Sequence, residues 1–188
     1  MRKKRLKINE AVKIIRQGGV VICPTDTVYG LLADTNNENA IRKIFKIKKR
    51  SKGKPIPIFV KDIEMAKELA FIDKKQEKFL KMVWPGKVTV VLKRKNVLPR
   101  ILFGNKKTIG LRIPDYKLIS LLLKKLNYPL TGTSANISGK PASTKIKEVL
   151  KQFGKEKADL VLNYGDLKFS LPSIVIDLTG RNIKILRI

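Results

Sequence analysis

Apolar positions change their period several times along the chain, and each change marks an element. Ile8, Val12 and Ile15 recur at helical spacing with Asn9 placed as a cap, and Gly18–Gly19 can supply the left-handed exit. Val20 to Cys23 then reads as a buried strand. Over Asn37 to Lys49, residues Ile41, Ile44, Phe45 and Lys48 fall on helical positions, while cations gather toward the C-terminal end that the helix dipole makes favourable for them. Short β-rich runs follow at Ile56 to Val60, Val88 to Leu92, Thr108 to Ile113, Leu160 to Leu162, Ile174 to Leu178 and Ile183 to Ile188. Between several of them lie helical patterns at Asp62 to Leu69, Lys74 to Val83, Asp115 to Leu126 and Ser143 to Phe153, three opened by an Asp or Ser suited to capping. The alternation predicts α/β layers around one sheet, and the closing succession of strands predicts that the sheet is mixed.

Composition narrows the class. A chain of 188 residues, 43% of them hydrophobic, supplies one substantial core, so a single domain over 1–188 is expected. Lys+Arg 42 against Asp+Glu 15 gives a formal charge of +27, a field that attracts nucleotides and RNA. The same excess also describes a lysine-rich, solvated surface, and only positioned cations separate the two. A lone cysteine, Cys23, and the lack of histidine exclude an internal disulfide, a His/Cys zinc cluster and Ser-His-Asp or Cys-His catalysis. Met1 to Lys7 is basic without the apolar stretch of a signal peptide, and no window approaches the ~20 apolar residues of a membrane span. A reducing cytoplasm with no membrane attachment is the expected location.

Candidate chemistry lies at the strand ends. Pro24-Thr25-Asp26-Thr27-Val28-Tyr29-Gly30-Leu31 follows a strand where the chain must turn, and its hydroxyls and acid either satisfy local backbone groups or face a ligand. Lys48-x-Arg50-x-x-x-Lys54-Pro55 spaces three of the cations that crowd residues 48–54. Arg can fork onto phosphate oxygens while Lys adds a compact charge, which suits a polyphosphate, although a solvated cationic loop would look the same. The glycine spacing of a Walker loop is absent. Trp84-Pro85-Gly86-Lys87-Val88-Thr89 reads as a helix stop and strand start. Arg112 is flanked by apolar residues, so its charge must find a carboxylate, a ligand anion or solvent. Thr131 to Gly139 packs small residues, hydroxyls and an amide into a loop whose N–H groups can form an anion nest or simply cap a turn.

Taken in order, PTDTVYGL, KKRSKGKPI, WPGKVT, TIGLRIP, TSANISGKP, PSIVID and the terminal LRI resemble the YrdC-like domain of threonylcarbamoyl-AMP synthases from about Gly18 onward. The resemblance implies an α/β fold with an open, twisted, mixed sheet flanked by helices and a concave cationic site. It implies a nucleotidyltransferase that converts ATP, L-threonine and bicarbonate to threonylcarbamoyl-AMP and diphosphate for tRNA modification. Carried over by motif position, Lys48, Arg50 and Lys54 would act on the phosphates. Thr108, Ser134, Asn136 and Arg187 would complete the ATP site, and Thr27, Arg112, Gly132 and Ser173 would hold threonine. Mg²⁺ would enter on the ATP phosphates, with no metal ligand from the protein. The expected partners are tRNA or double-stranded RNA and the transferase machinery that uses the product.

This sequence departs from the family pattern at three places. Phe59 stands where many members carry a histidine, Ala142 replaces a frequent serine, and Ile174 replaces the usual threonine after Ser173. The chain looks like the short, single-domain form. The reading from another class is a non-catalytic RNA-binding module that holds phosphates through its positive surface.

Overall fold

A computed structural model describes residues 2–51, 53–153, 158–180 and 182–187, with side chains from residue 6 onward. Helix α1 (Arg2–Arg16) begins upstream of Asn9, because the preceding Arg, Lys and Leu residues are strong helix formers without a breaker. Asn9 therefore sits exposed inside the helix and caps nothing. Gly18, at φ +78°, makes the left-handed exit that leads to β1 (Val21–Cys23). Helix α2 (Glu38–Ile47) starts on Asn37, whose side chain accepts the Ala40 N–H.

Helices α3 (Ile63–Leu69) and α4 (Lys74–Val83) are capped by Asp62 and Asp73, the latter in a reciprocal box with Gln76. Helix α5 (Lys117–Leu126) starts after Tyr116 without a side-chain cap. Asp115 is not its cap; its N–H instead donates to the Asp26 carboxylate. Helix α6 (Ile146–Phe153) follows a turn in which Ser143 Oγ accepts the Lys145 N–H.

The described strands form two mixed sheets rather than one. The smaller runs β7-β2-β1-β8, with β2 at Gly30–Leu32, β7 at Thr133–Ser134 and β8 at Leu160–Val161. The larger runs β10-β9-β4-β5-β3-β6, with β3 at Ile58–Phe59, β4 at Val88–Lys93, β5 at Thr108–Arg112, β6 at Leu130–Thr131, β9 at Ile174–Asp177 and β10 at Lys184–Arg187. An isolated bridge from Asp34 to Leu130 brings the two together. Apolar side chains of α2, α3, α4 and α6 cover the sheets in one core that includes Ile44, Leu69, Leu80, Val149, Ile58, Val90 and Leu111. A second core packs α1 on α5 through Ile8, Ile15, Ile119 and Leu122. Among the described residues no helix is long and apolar enough to cross a membrane.

Register places the chemistry. Phe59 of β3 lies beside Arg112 of β5 and beside Leu130 of β6. Thr89 of β4 pairs with Val175 of β9. Strand ends and the turns that leave them thus converge at one end of the larger sheet, against the segment after β1. Leu111, fully buried at the centre of this arrangement, sets the expected energetics. Leu111→Ala should lose about 2–5 kcal/mol of stability in urea unfolding. Met82→Ala, exposed on α4, should stay within about 0.5 kcal/mol.

Candidate functional site

At that convergence lies a cleft of about 280 Å³. Arg50, Arg112, Lys140 and Arg187 all line it, and no carboxylate among the described residues does. Four cations brought there from separate parts of the chain give it a positive field that favours anions.

Arg112 leaves the end of β5 and is buried. Its Nη2 donates to Asp26 Oδ1 at 2.6 Å, its Nε to the Gly86 carbonyl at 2.8 Å, and its Nη1 reaches Thr27 Oγ1 at 3.4 Å. The open question of the sequence is thereby answered: the charge meets a carboxylate, yet the guanidinium still faces the cleft with two of its five N–H groups uncommitted. Burial works against its charge, Asp26 offsets this, and Arg187 adds repulsion. The 24–29 turn combines both of its readings. Thr25 Oγ1 donates to the Val28 carbonyl, so the 3.0 Å contact with Thr27 Oγ1 must use the Thr27 proton. Thr27 then accepts from Arg112 and lines the cleft.

The end of α2 sorts its cations by direction. Lys49 takes a left-handed conformation at φ +48°. Its N–H reaches the Lys46 carbonyl and the Arg50 N–H reaches the Phe45 carbonyl, the two bonds of a Schellman turn. Lys48 therefore points inward, where its ammonium meets the Ser134 and Asn136 carbonyls and Asn136 Oδ1. Arg50 turns out to the cleft wall, its Nη2 on the Pro55 carbonyl at 2.7 Å. Burial pulls the Lys48 ammonium down to about 7, with Arg50's charge acting the same way.

The Ser134–Asn136 loop is braced rather than open. Ser134 Oγ donates to Asn136 Oδ1, and Asn136 Nδ2 donates to the Ile137 and Lys140 carbonyls. The N–H groups of Ala135, Asn136, Ile137 and Ser138 all have protein partners, so the nest alternative gives way to a capped turn. Lys48 holds the loop from behind while Ser134 and Asn136 show a polar face to the cleft. Gly132 passes directly over Phe59, whose ring would lie 2.4 Å from any Cβ there. Only glycine fits this crossing.

Ser173 Oγ pairs with Thr89 Oγ1 at 2.8 Å. Arg187 reaches the Ser173 carbonyl at 2.7 Å, re-aimed by a register shift between Ile185 and Arg187. Besides Lys48, which does not line the cleft, two named residues lie elsewhere. Lys54 is exposed and does not line the cleft, although its carbonyl accepts from Arg50 Nε. Thr108 opens β5 opposite Lys93, the full strand away from Arg112. Reading the sequence missed Lys140, Tyr29 and Thr89 on the wall and Asp26 behind it. The quoted motifs contain all four, but only contact across the fold assigns them. Of the departures, Phe59 and Ala142 line the cleft, whereas Ile174 is partly exposed on β9.

The sequence model of the Sua5_yciO_yrdC family, described as "Telomere recombination", matches residues 13–188. The chain belongs to the Sua5/YciO/YrdC family. Within it, a Methanocaldococcus jannaschii protein provisionally named a threonylcarbamoyl-AMP synthase is 40% identical over 182 residues, covering 96% of this chain and 84% of the relative. The crystal structure of Pyrococcus abyssi Sua5 complexed with L-threonine superposes with a TM-score of 0.90 at 35% identity, over 96% of this chain. This chain spans about half of that one, 53%. Escherichia coli YciO gives a TM-score of 0.88 at 32% identity, with 97% and 88% covered.

Two outcomes follow from this geometry. Gly132→Ala should cost about 1–3 kcal/mol by forcing the ring aside. Combining it with Phe59→Leu should cost less than the two separate losses by at least about 0.5 kcal/mol in a double-mutant cycle. For Lys48, the unfolded chain keeps its proton up to the ordinary 10.5 while the folded protein releases it near about 7. The folded state binds fewer protons between those values, so stability should rise with pH across the window. Lys48→Met should flatten that rise, as read from urea midpoints at about pH 7 and about pH 10.

Proposed function

We propose that this member of the family is a threonylcarbamoyl-AMP synthase, joining L-threonine, bicarbonate and ATP into L-threonylcarbamoyladenylate and diphosphate for threonylcarbamoyladenosine formation in tRNA. The observation that carries the proposal is the gathering of Arg50, Arg112 and Arg187 around one cleft, beside the side chains of Thr27, Ser134, Asn136 and Ser173. Arg187 and Ser173 are in direct contact, so the cations and hydroxyls share a single wall. The name of the Methanocaldococcus relative and the threonine complex of Pyrococcus Sua5 support the same reading.

In this reaction the free amine of threonine attacks the carbon of bicarbonate, giving a carbamate and water. A carbamate oxygen then attacks the α-phosphorus, and the bond to the β-phosphate oxygen breaks as diphosphate leaves. Arg112 holds the threonine carboxylate, Thr27 and Ser173 offer hydroxyls, and the Phe59 ring supplies an apolar wall for the methyl group. Arg50 and Arg187 receive phosphate oxygens, with Lys140 on the same wall and Lys54 exposed on the segment beside Arg50. Positioning and charge stabilisation supply most of what such a displacement needs, so histidine is not required. Magnesium belongs to the substrate, riding on the phosphates. With no carboxylate on the wall among the described residues, the fitting side chains are those that take phosphate oxygens directly. Thr108 has no part in this scheme. The product, a reactive mixed anhydride, passes to a tRNA-modifying transferase.

Diphosphate release should require threonine and bicarbonate together. Arg50→Ala and Arg112→Ala should each lower kcat/KM by about 100-fold or more, while Thr108→Val should leave it within about twofold. Release that ignores threonine or bicarbonate, or salt-dependent RNA binding without turnover, would overturn the proposal, the latter in favour of an RNA-binding module.

A further inference from the structure

Away from the cleft, and sharing no wall residue with it, a wider groove of about 1100 Å³ runs between α4 and the β9–β10 turn. Its walls are unusual for a solvated surface. Phe71 and Ile183 are 60% and 57% exposed, and Ile72, Phe79 and Leu178 continue the apolar floor beneath them. Outside the groove, Ile185 and Leu186 are also exposed on β10, an outer strand of the larger sheet. Isolated exposed apolar residues need no explanation, but a contiguous set around a concavity marks an interaction site.

The rim carries one sign of charge. Lys67, Lys75, Lys93 and Lys95 line the groove, against Asp73, whose carboxylate already caps α4 through the Gln76 N–H. Lys67 is paired with Glu64 and Glu77, and Lys95 rests over the Phe71 ring. The side chains of Lys75 and Lys93 are exposed and make no ion pair or hydrogen bond among the described residues. An occupant must therefore bring apolar groups for the floor and negative charge for the rim.

We infer that this groove docks an acidic, amphipathic peptide segment of a partner protein. Its apolar side chains fill the space between Phe71, Phe79 and Ile183, and its carboxylates meet Lys75 and Lys93. Polynucleotide fits less well. Single strands are held by successive ring faces, whereas most of this floor is aliphatic and Phe71 is its one largely exposed ring. A second copy of the chain would bring its own excess of +27 against the rim. An acidic amphipathic segment satisfies both surfaces at once.

The test needs no turnover, so it stands apart from the proposed reaction. Fluorescence anisotropy would follow three probes: a Glu/Leu peptide with its leucines along one helical face, a scrambled peptide of the same composition, and single-stranded oligouridine. The proteins are the native chain, Phe71→Ser and Lys75→Glu/Lys93→Glu. All three changed side chains are exposed, and a glutamate in the first turn of α4 suits the helix dipole. Both variants should bind the amphipathic peptide at least about tenfold more weakly, with the scrambled peptide weaker than its parent on the native chain. Equal binding by all three proteins, equal binding of the scrambled peptide, or a loss confined to oligouridine would overturn the inference.

Discussion

A guanidinium withdrawn from water organises this molecule. Arg112 is 3% exposed, and taking its charge out of solvent is tolerable only with a partner and satisfied N–H groups. Asp26 supplies the partner, and that one contact fixes the turn after β1 against the end of β5. The second oxygen of Asp26 receives the Asp115 N–H, so the same carboxylate anchors the chain just before α5. Gly86 contributes its carbonyl, which ties in the turn before β4. Three chain segments that do not follow one another are thus held around a single planar cation, and the cleft is the space left beside it.

The other cations divide by what surrounds them. Lys48 is a strut, braced by three oxygens of the loop it supports. Arg50 and Arg187 lean on carbonyls that orient them without neutralising them, so their charge remains available to an anion. Most of the remaining excess lies on exposed lysines, where solvent screens it and pairs contribute little. A formal charge alone therefore says less than the few places where the backbone aims it.

Much of the architecture was legible from residue pattern. The helix that follows Asn37, the strands at Val88 and Thr108, the mixed character of the strand pairing and the convergence of Arg50, Arg112 and Arg187 all follow from signals close together in the chain or from motif likeness. What escaped depended on contacts at long range. Strands β2 and β7 are only a few residues long and exist because neighbours pair with them, so no alternation announces them. Asp115 has the composition of a cap but is claimed by Asp26. The division of the strands into two sheets has no local signature. Nor does the requirement for glycine at position 132, which arises from an aromatic ring far away in sequence.

The reversal after α2 has a bearing on how this sequence can change over time. It turns the chain within a single residue, so the positions on either side of Lys49 belong to different worlds, one dry and one wet. Adding or deleting one residue there would drive the arginine into the interior and strand the lysine outside. Drift is consequently confined to the identity of the middle residue, where asparagine or glycine would relieve the backbone, while the count between its neighbours is held by geometry alone.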